Sequence, residues 1–230
     1  MVYKAQLWVA LCMSFFTLTA TAQQQARPEK MTFTYVDHPA MVNFLVPLIR
    51  DTYKKLGIET DFVAQPSNRN LLLVDKNIVD GDVGYMKIVL GGYNNLFTVE
   101  PPVVVGVYTI LCRPQLICTP AVLADKEKTI IATSVSKHGL LQAYKGTIKS
   151  QFYTVNDLSL IPDFVRLGRF NYAIYPTTEK ELQRISTDDL HYVRLFEANL
   201  YHVLHKKYRF MAAEISHALQ QTLNERAEKQ

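Results

Sequence analysis

What this 230-residue chain lacks narrows its chemistry first. It has no Gly-x-Ser-x-Gly elbow, no glycine-rich phosphate loop and no His-Glu-x-x-His helix, so the common signatures of hydrolases, nucleotide-binding enzymes and zinc proteases are missing. The reading is therefore non-enzymatic. His202 and His205 stand three apart in extended sequence, which does not put both on one strand face, so neither a metal site nor a cofactor is expected. Lys and Arg total 25 against 21 Asp and Glu, giving a formal charge of +4. No run of five basic residues occurs, and nucleic acid is not an expected partner. Past residue 22, no segment is apolar enough to span a membrane, a task needing roughly 20 residues.

The leading segment sets the compartment. Lys4 supplies a positive start, Leu7 to Leu18 is an apolar core, and Ala20-Thr21-Ala22 fits a small-residue cleavage site. Export to the periplasm is expected, with cleavage before Gln23. Leu11 is not the small residue that a lipoprotein signal places before its cysteine, so Cys12 is not read as a lipid anchor. Removing 22 of 230 residues leaves 208, enough for one large domain or two small lobes with their own cores.

Of the three cysteines, Cys112 and Cys118 lie beyond that site. In an oxidising compartment they form either a local disulfide across a reversing loop at Pro114 or two reduced, buried thiols; the loop favours the disulfide.

Strand and helix signals then alternate. Met31 to Val36 alternates like a strand, Asp37-His38-Pro39 breaks it, and Met41, Phe44, Leu45, Leu48, Thr52 and Leu56 recur at helical spacing up to Gly57. Pro47 either kinks that helix or marks the first turn of its main part. Ile58 to Val63 predicts a second strand. Ser67 or Asn68 is expected to cap a short helix through Leu71 and Val74, and Asp80-Gly81-Asp82 turns into another strand. Val103 to Leu111 is apolar and β-branched, a candidate crossing between lobes. A second set follows: a strand at Thr129 to Thr133, a helix from His138, a strand at Phe152 to Val155, a helix carrying Leu158, Ile161, Val165 and Leu167, and a strand at Tyr172 to Tyr175. Extended chain from Tyr192 to Leu204 leads to a closing helix whose stripe includes Phe210, Met211, Ile215 and Leu219. The alternation predicts an α/β fold with parallel pairing.

Pro66-Ser67-Asn68-Arg69 followed by Val79-Asp80-Gly81-Asp82, Val165 to Ile174 around Gly168-Arg169, and Leu204-His205-Lys206-Lys207 before the last helix share an order with a known family. On these residues the chain resembles the amino-acid-binding type (family 3) of extracellular solute-binding proteins, the periplasmic components of ABC uptake systems. The resemblance spans about Met31 to Leu223. It implies a two-lobed type II periplasmic-binding fold, with mixed sheets flanked by helices and a hinge between lobes: residues 23–105 and 195–230 in one, 106–194 in the other. It further implies a monomer that binds a small molecule, amino acid-like or an organic anion, between the lobes, and that meets an ABC permease. A non-transport sensor or accessory protein engaging a membrane partner is the alternative.

The chain departs from the family's clamp. Where members place an arginine for the ligand carboxylate, it has Gly84-Tyr85-Met86-Lys87, and where they place an aspartate for the ammonium it has Asn171 and Tyr175-Pro176-Thr177. Candidate ligand contacts are Arg69 and Lys87 as cations, against a plain surface role. Ser134 and Ser136 are anion-binding or capping hydroxyls. Tyr35 and Asp37 end the first strand, and Tyr85 and Tyr175 are aromatic walls or core. His38 is read as a loop histidine.

Overall fold

The structure, a computed structural model, describes residues 26–187 and 190–228. The expected signal peptide, residues 1–22, lies outside the described residues. Among the described residues, eight strands form one mixed sheet. In chain order the elements are β1 (Lys30–Tyr35), a π-helical turn (Met41–Leu45), α1 (Val46–Lys55), β2 (Glu59–Ala64), α2 (Ser67–Asp75), β3 (Gly81–Met86), a 3-10 segment (Lys87–Gly92) and β4 (Leu96–Cys112). After a 3-10 turn at Pro120–Ala124 come β5 (Thr129–Thr133), α3 (Ser134–Tyr144), β6 (Gln151–Val155), α4 (Ile161–Arg166), β7 (Tyr172–Thr178), α5 (Glu179–Thr187), β8 (His191–His205), a 3-10 segment (Lys206–Met211) and α6 (Ala212–Ala227).

The strand order β2-β1-β3-β8-β4-β7-β5-β6 carries the same unit twice. β1 pairs in parallel with β2 and β3, and β5 pairs in parallel with β6 and β7. Each parallel step needs a helical crossover, which α1, α2, α3 and α4 provide. The two units are the cores of the two lobes. Between them β8 and β4 run antiparallel, and the 17 residues of β4 and 15 of β8 are long enough to belong to both lobes. Their pairing shifts register between Val99 and Val104, where Pro101 and Pro102 have no N–H to give to the ladder.

One face of the first lobe buries Phe33, Leu48, Ile49 and Tyr53 against Ile215 and Leu219 of α6. The opposite face packs Leu71, Tyr85 and Val203, and the second lobe adds Ile131, Val165 and Ala173 on that side. Cys112 and Cys118 are joined by a disulfide that closes the loop after β4, with Cα atoms 5.7 Å apart.

Several local expectations change. Pro47 does stand in the first turn of α1, one of its two expected places, but the chain is already helical before it, and the π-turn at Met41–Leu45 absorbs the hydrogen bond that its missing N–H cannot make. Neither Ser67 nor Asn68 caps α2: Pro66 holds the N-cap position, no side chain caps, and both residues are already helical. Leu167 falls beyond α4 and is 70% exposed. Phe210 lies in a 3-10 segment out of phase with α6, so it is not part of that stripe's buried face. Helix α5 was not foreseen, because Glu179 to Thr187 offers only Leu182 and Ile185 as an apolar pair among charges. Among the described residues, no helix is long and apolar enough to cross a membrane.

Candidate functional site

Parallel strands place their carboxyl ends together, and in open α/β sheets that rim is where ligands bind. Here the ends of β1, β3, β5 and β7 meet around a cavity of about 70 Å³ between the lobes. The first lobe contributes Val36, His38 and Ala40 after β1, Ser67 at the start of α2, and Gly84, Tyr85 and Met86 of β3. From the second come Tyr108 of β4, Thr133 and Ser136 where β5 passes into α3, Leu158, and Pro176 to Thr178 of β7. No Asp, Glu, Lys or Arg lines the cavity among the described residues.

Glycine allows two close approaches that shape it. A Cβ at Gly84 would lie 2.7 Å from Leu45 Cδ1, so the bare backbone lets β3 sit against the π-turn. A Cβ at Gly139 would lie 2.1 Å from the Tyr108 hydroxyl, so α3 settles onto the Tyr108 ring only because that position is glycine. Tyr108 in turn stacks on Phe196 at 4.5 Å.

The polar atoms of the wall fall into two kinds. Most are satisfied by the protein itself. The His38 ring accepts the Ala40 N–H at Nδ1 (3.1 Å), which leaves the proton of the neutral ring on Nε2, 3.3 Å from Thr177 Oγ1 across the lobe boundary. Burial pushes its pKa down to about 4, so the ring is neutral at pH 7. Thr133 caps α3, its Oγ1 accepting the Ser136 N–H at 3.1 Å while pairing with Ser136 Oγ at 2.7 Å. The Tyr85 hydroxyl donates to the Ser67 carbonyl at 2.8 Å, and burial raises its pKa well above 10, keeping the phenol neutral. The Ser67 hydroxyl is different: it is buried and has no hydrogen-bond partner.

Behind the wall, Asp82 braces β3. Its Oδ1 accepts the Gly84 N–H at 2.9 Å, and its Oδ2 accepts from Thr34 Oγ1 and Asn70 Nδ2, both at 2.9 Å. Complete burial nevertheless raises its pKa to about 7. His202 lies against it, Nδ1 donating to the Asp82 carbonyl (2.8 Å) and Nε2 accepting the Tyr53 hydroxyl (2.9 Å), with burial lowering its pKa to about 4.

The sequence-derived candidates separate. Tyr85 and Ser136 line the cavity. Tyr175 is buried just behind it, its ring 5.4 Å from that of His38. Ser134 is exposed and lines a wider, more open depression with Asn68, Tyr93 and His138. Asp37 is exposed and lines another with Gln65, Pro66, Asn156 and Asp157. Tyr35 is half-buried and packs against the core of the first lobe. Arg69 is exposed on the first turn of α2, and Lys87 is exposed with its ammonium 5.7 Å from the Tyr201 ring centroid; neither lines the cavity. His38, read from sequence as a loop residue, is 1% exposed and part of the wall. Thr133 and Thr177 are not among the sequence-derived ligand candidates, though Thr133 is a hydroxyl at the carboxyl end of a predicted strand and Thr177 lies two residues past another.

No protein-family model matches the chain, and no curated protein matches it. Solved structures do share its fold. An ancestral amino acid-binding protein, a precursor of cyclohexadienyl dehydratase, superposes with a TM-score of 0.70 at 14% identity, over 87% of this chain and 95% of its own. The arginine-bound, truncated arginine-binding protein of T. maritima gives 0.66 at 13%, over 84% and 96%. The GluR0 ligand-binding core from Nostoc punctiforme, in complex with L-glutamate, gives 0.68 at 16%, over 86% and 94%. These likenesses establish the two-lobed fold of the amino-acid-binding proteins.

Proposed function

We propose that the mature chain is a periplasmic solute-binding protein that closes its two lobes on a small molecule, hinging where β4 and β8 cross, and presents it to an ABC permease. The observation that carries this reading is the cavity at the strand ends, walled from both lobes, with the Ser67 hydroxyl buried in its wall without a partner. Native proteins rarely leave such a group unsatisfied unless something else meets it. Side-chain hydrogen bonds span the lobes in support: His38 to Thr177 inside the seam, and Asn68 Nδ2 to Asn156 Oδ1 at 3.2 Å on the surface. The amino-acid ligands of the structural neighbours make a solute the natural occupant.

Binding is preferred to catalysis because, among the described residues, no carboxylate lines the cavity and both nitrogens of the histidine that does, His38, are engaged by Ala40 and Thr177. The lobes are taken as residues 23–105 with 195–230, and 106–194, and the protein as a monomer. A thermal-shift screen of amino acids, organic acids, amides and sugars tests the proposal. A ligand at a hundred times its Kd adds about 2.7 kcal/mol to the folded state. Absence of any stabilising solute would refute it.

A further inference from the structure

Resting on that reading, we infer that the cleft takes an uncharged ligand: a compact molecule with an apolar body and one hydrogen-bonding head directed at Ser67 and the amino end of α3. The cavity's chemistry requires it. An ion moved from water into a closed site without a counter-charge loses solvation that nothing returns. Among the described residues the walls offer no such charge, since His38 is neutral and the two cations expected to serve, Arg69 and Lys87, are exposed and do not line the cavity.

The surroundings oppose each sign separately. The adjoining depression, which shares Val36 with the cavity, carries the carboxylates Asp37 and Asp157, an unfavourable setting for an anion. A cation would meet the amino end of α3, whose dipole is positive there. A neutral acceptor such as an amide or carbonyl oxygen suits both walls, because the Ser67 hydroxyl, buried in the wall without a partner, can turn about its side-chain bond to donate, and the helix end favours an oxygen. The cavity, open on one side, offers about 70 Å³, roughly half the volume of an engineered cavity known to hold benzene. Leu158, Leu200, Met86 and Val135 supply the apolar wall.

The test uses four molecules on one three-carbon skeleton: propionamide, propionate, propylamine and alanine, titrated calorimetrically into the mature protein at pH 7. Propionamide should bind at least about a hundredfold more tightly than each charged member, and the Ser67→Ala variant should lose about tenfold or more of that affinity. Tighter binding of alanine or propionate would overturn the uncharged class while leaving solute binding intact. Equal propionamide affinity in wild type and Ser67→Ala would overturn the role of Ser67. Failure of all four to bind overturns this inference; if the broader thermal-shift screen is silent too, solute binding falls with it.

Discussion

Replacing Ser67 by alanine should make the unliganded protein more stable and a worse binder. The hydroxyl is buried, has no partner, and lies on the cavity wall at the start of α2. Leaving a buried polar group unsatisfied costs about 1–3 kcal/mol. Truncation removes that cost and enlarges an existing cavity by a single atom, so a net gain near 1 kcal/mol is expected. For a chain of this size that is a rise in Tm of about 2–4 °C. Two controls isolate the cause. Ser150→Ala removes another unpartnered buried hydroxyl, one that is not among the cavity residues, and should raise Tm without touching affinity. Ser136→Ala deletes a hydroxyl bonded to Thr133 Oγ1 at 2.7 Å and should lower Tm by a similar amount. Differential scanning calorimetry with a parallel binding titration reads all three. If Ser67→Ala lowers Tm as Ser136→Ala does, the hydroxyl has a structural partner and the reasoning fails.

Three further outcomes are expected. Asp82 has a pKa of about 7 in the folded chain against 3.8 unfolded, so the native state holds its proton more tightly and its contribution to stability is lost as pH rises from about 4 to 7. Three units correspond to at most about 4 kcal/mol, and urea melts across that range should show the decline in wild type and a flatter profile in Asp82→Asn. His38 titrates near 4 within the closed cleft and returns toward 6.5 once hydrated, so the open form binds more protons and ligand affinity should fall below pH 6.5, by up to about tenfold per unit. His38→Gln should remove that slope, and a pH-independent wild-type affinity would contradict the assignment. Reducing the Cys112–Cys118 bond, which closes a loop of sequence separation 6, should cost about 2 kcal/mol and lower Tm by about 4–8 °C, measured with and without reductant.

Much of the fold was legible because burial leaves a period. The spacing of Leu45, Leu48 and Thr52 translates directly into the route into α1, and the strand signal of Thr32 to Tyr35 into β1, although Thr34 is buried and Tyr35 half-buried because both faces of that strand are covered. Side-chain direction within the site was harder, although part of it was written in the same period. In α2 the buried residues are Ser67, Asn70, Leu71 and Val74, spaced i, i+3, i+4 and i+7. Extending the Leu71 and Val74 stripe back one turn reaches Ser67 and turns Arg69 to solvent. The stripe of α3 likewise runs through Ser136, Gly139 and Leu140 and leaves Ser134 outside. Charge drew attention to Arg69 and Lys87, whereas geometry favours the hydroxyl with the apolar phase. His38 and Thr177 come from segments 139 residues apart, and only the closure of the two lobes brings them together.

The most direct test of the cleft as a solute site is native mass spectrometry of the mature protein purified in its folded form, with the released small molecule identified. The account predicts one compact, uncharged molecule per chain, released on unfolding and much reduced in Ser67→Ala. A bound amino acid or organic anion would contradict the chemistry assigned to the cavity. A chain that carries nothing, and acquires nothing from the solute library, would contradict solute binding itself.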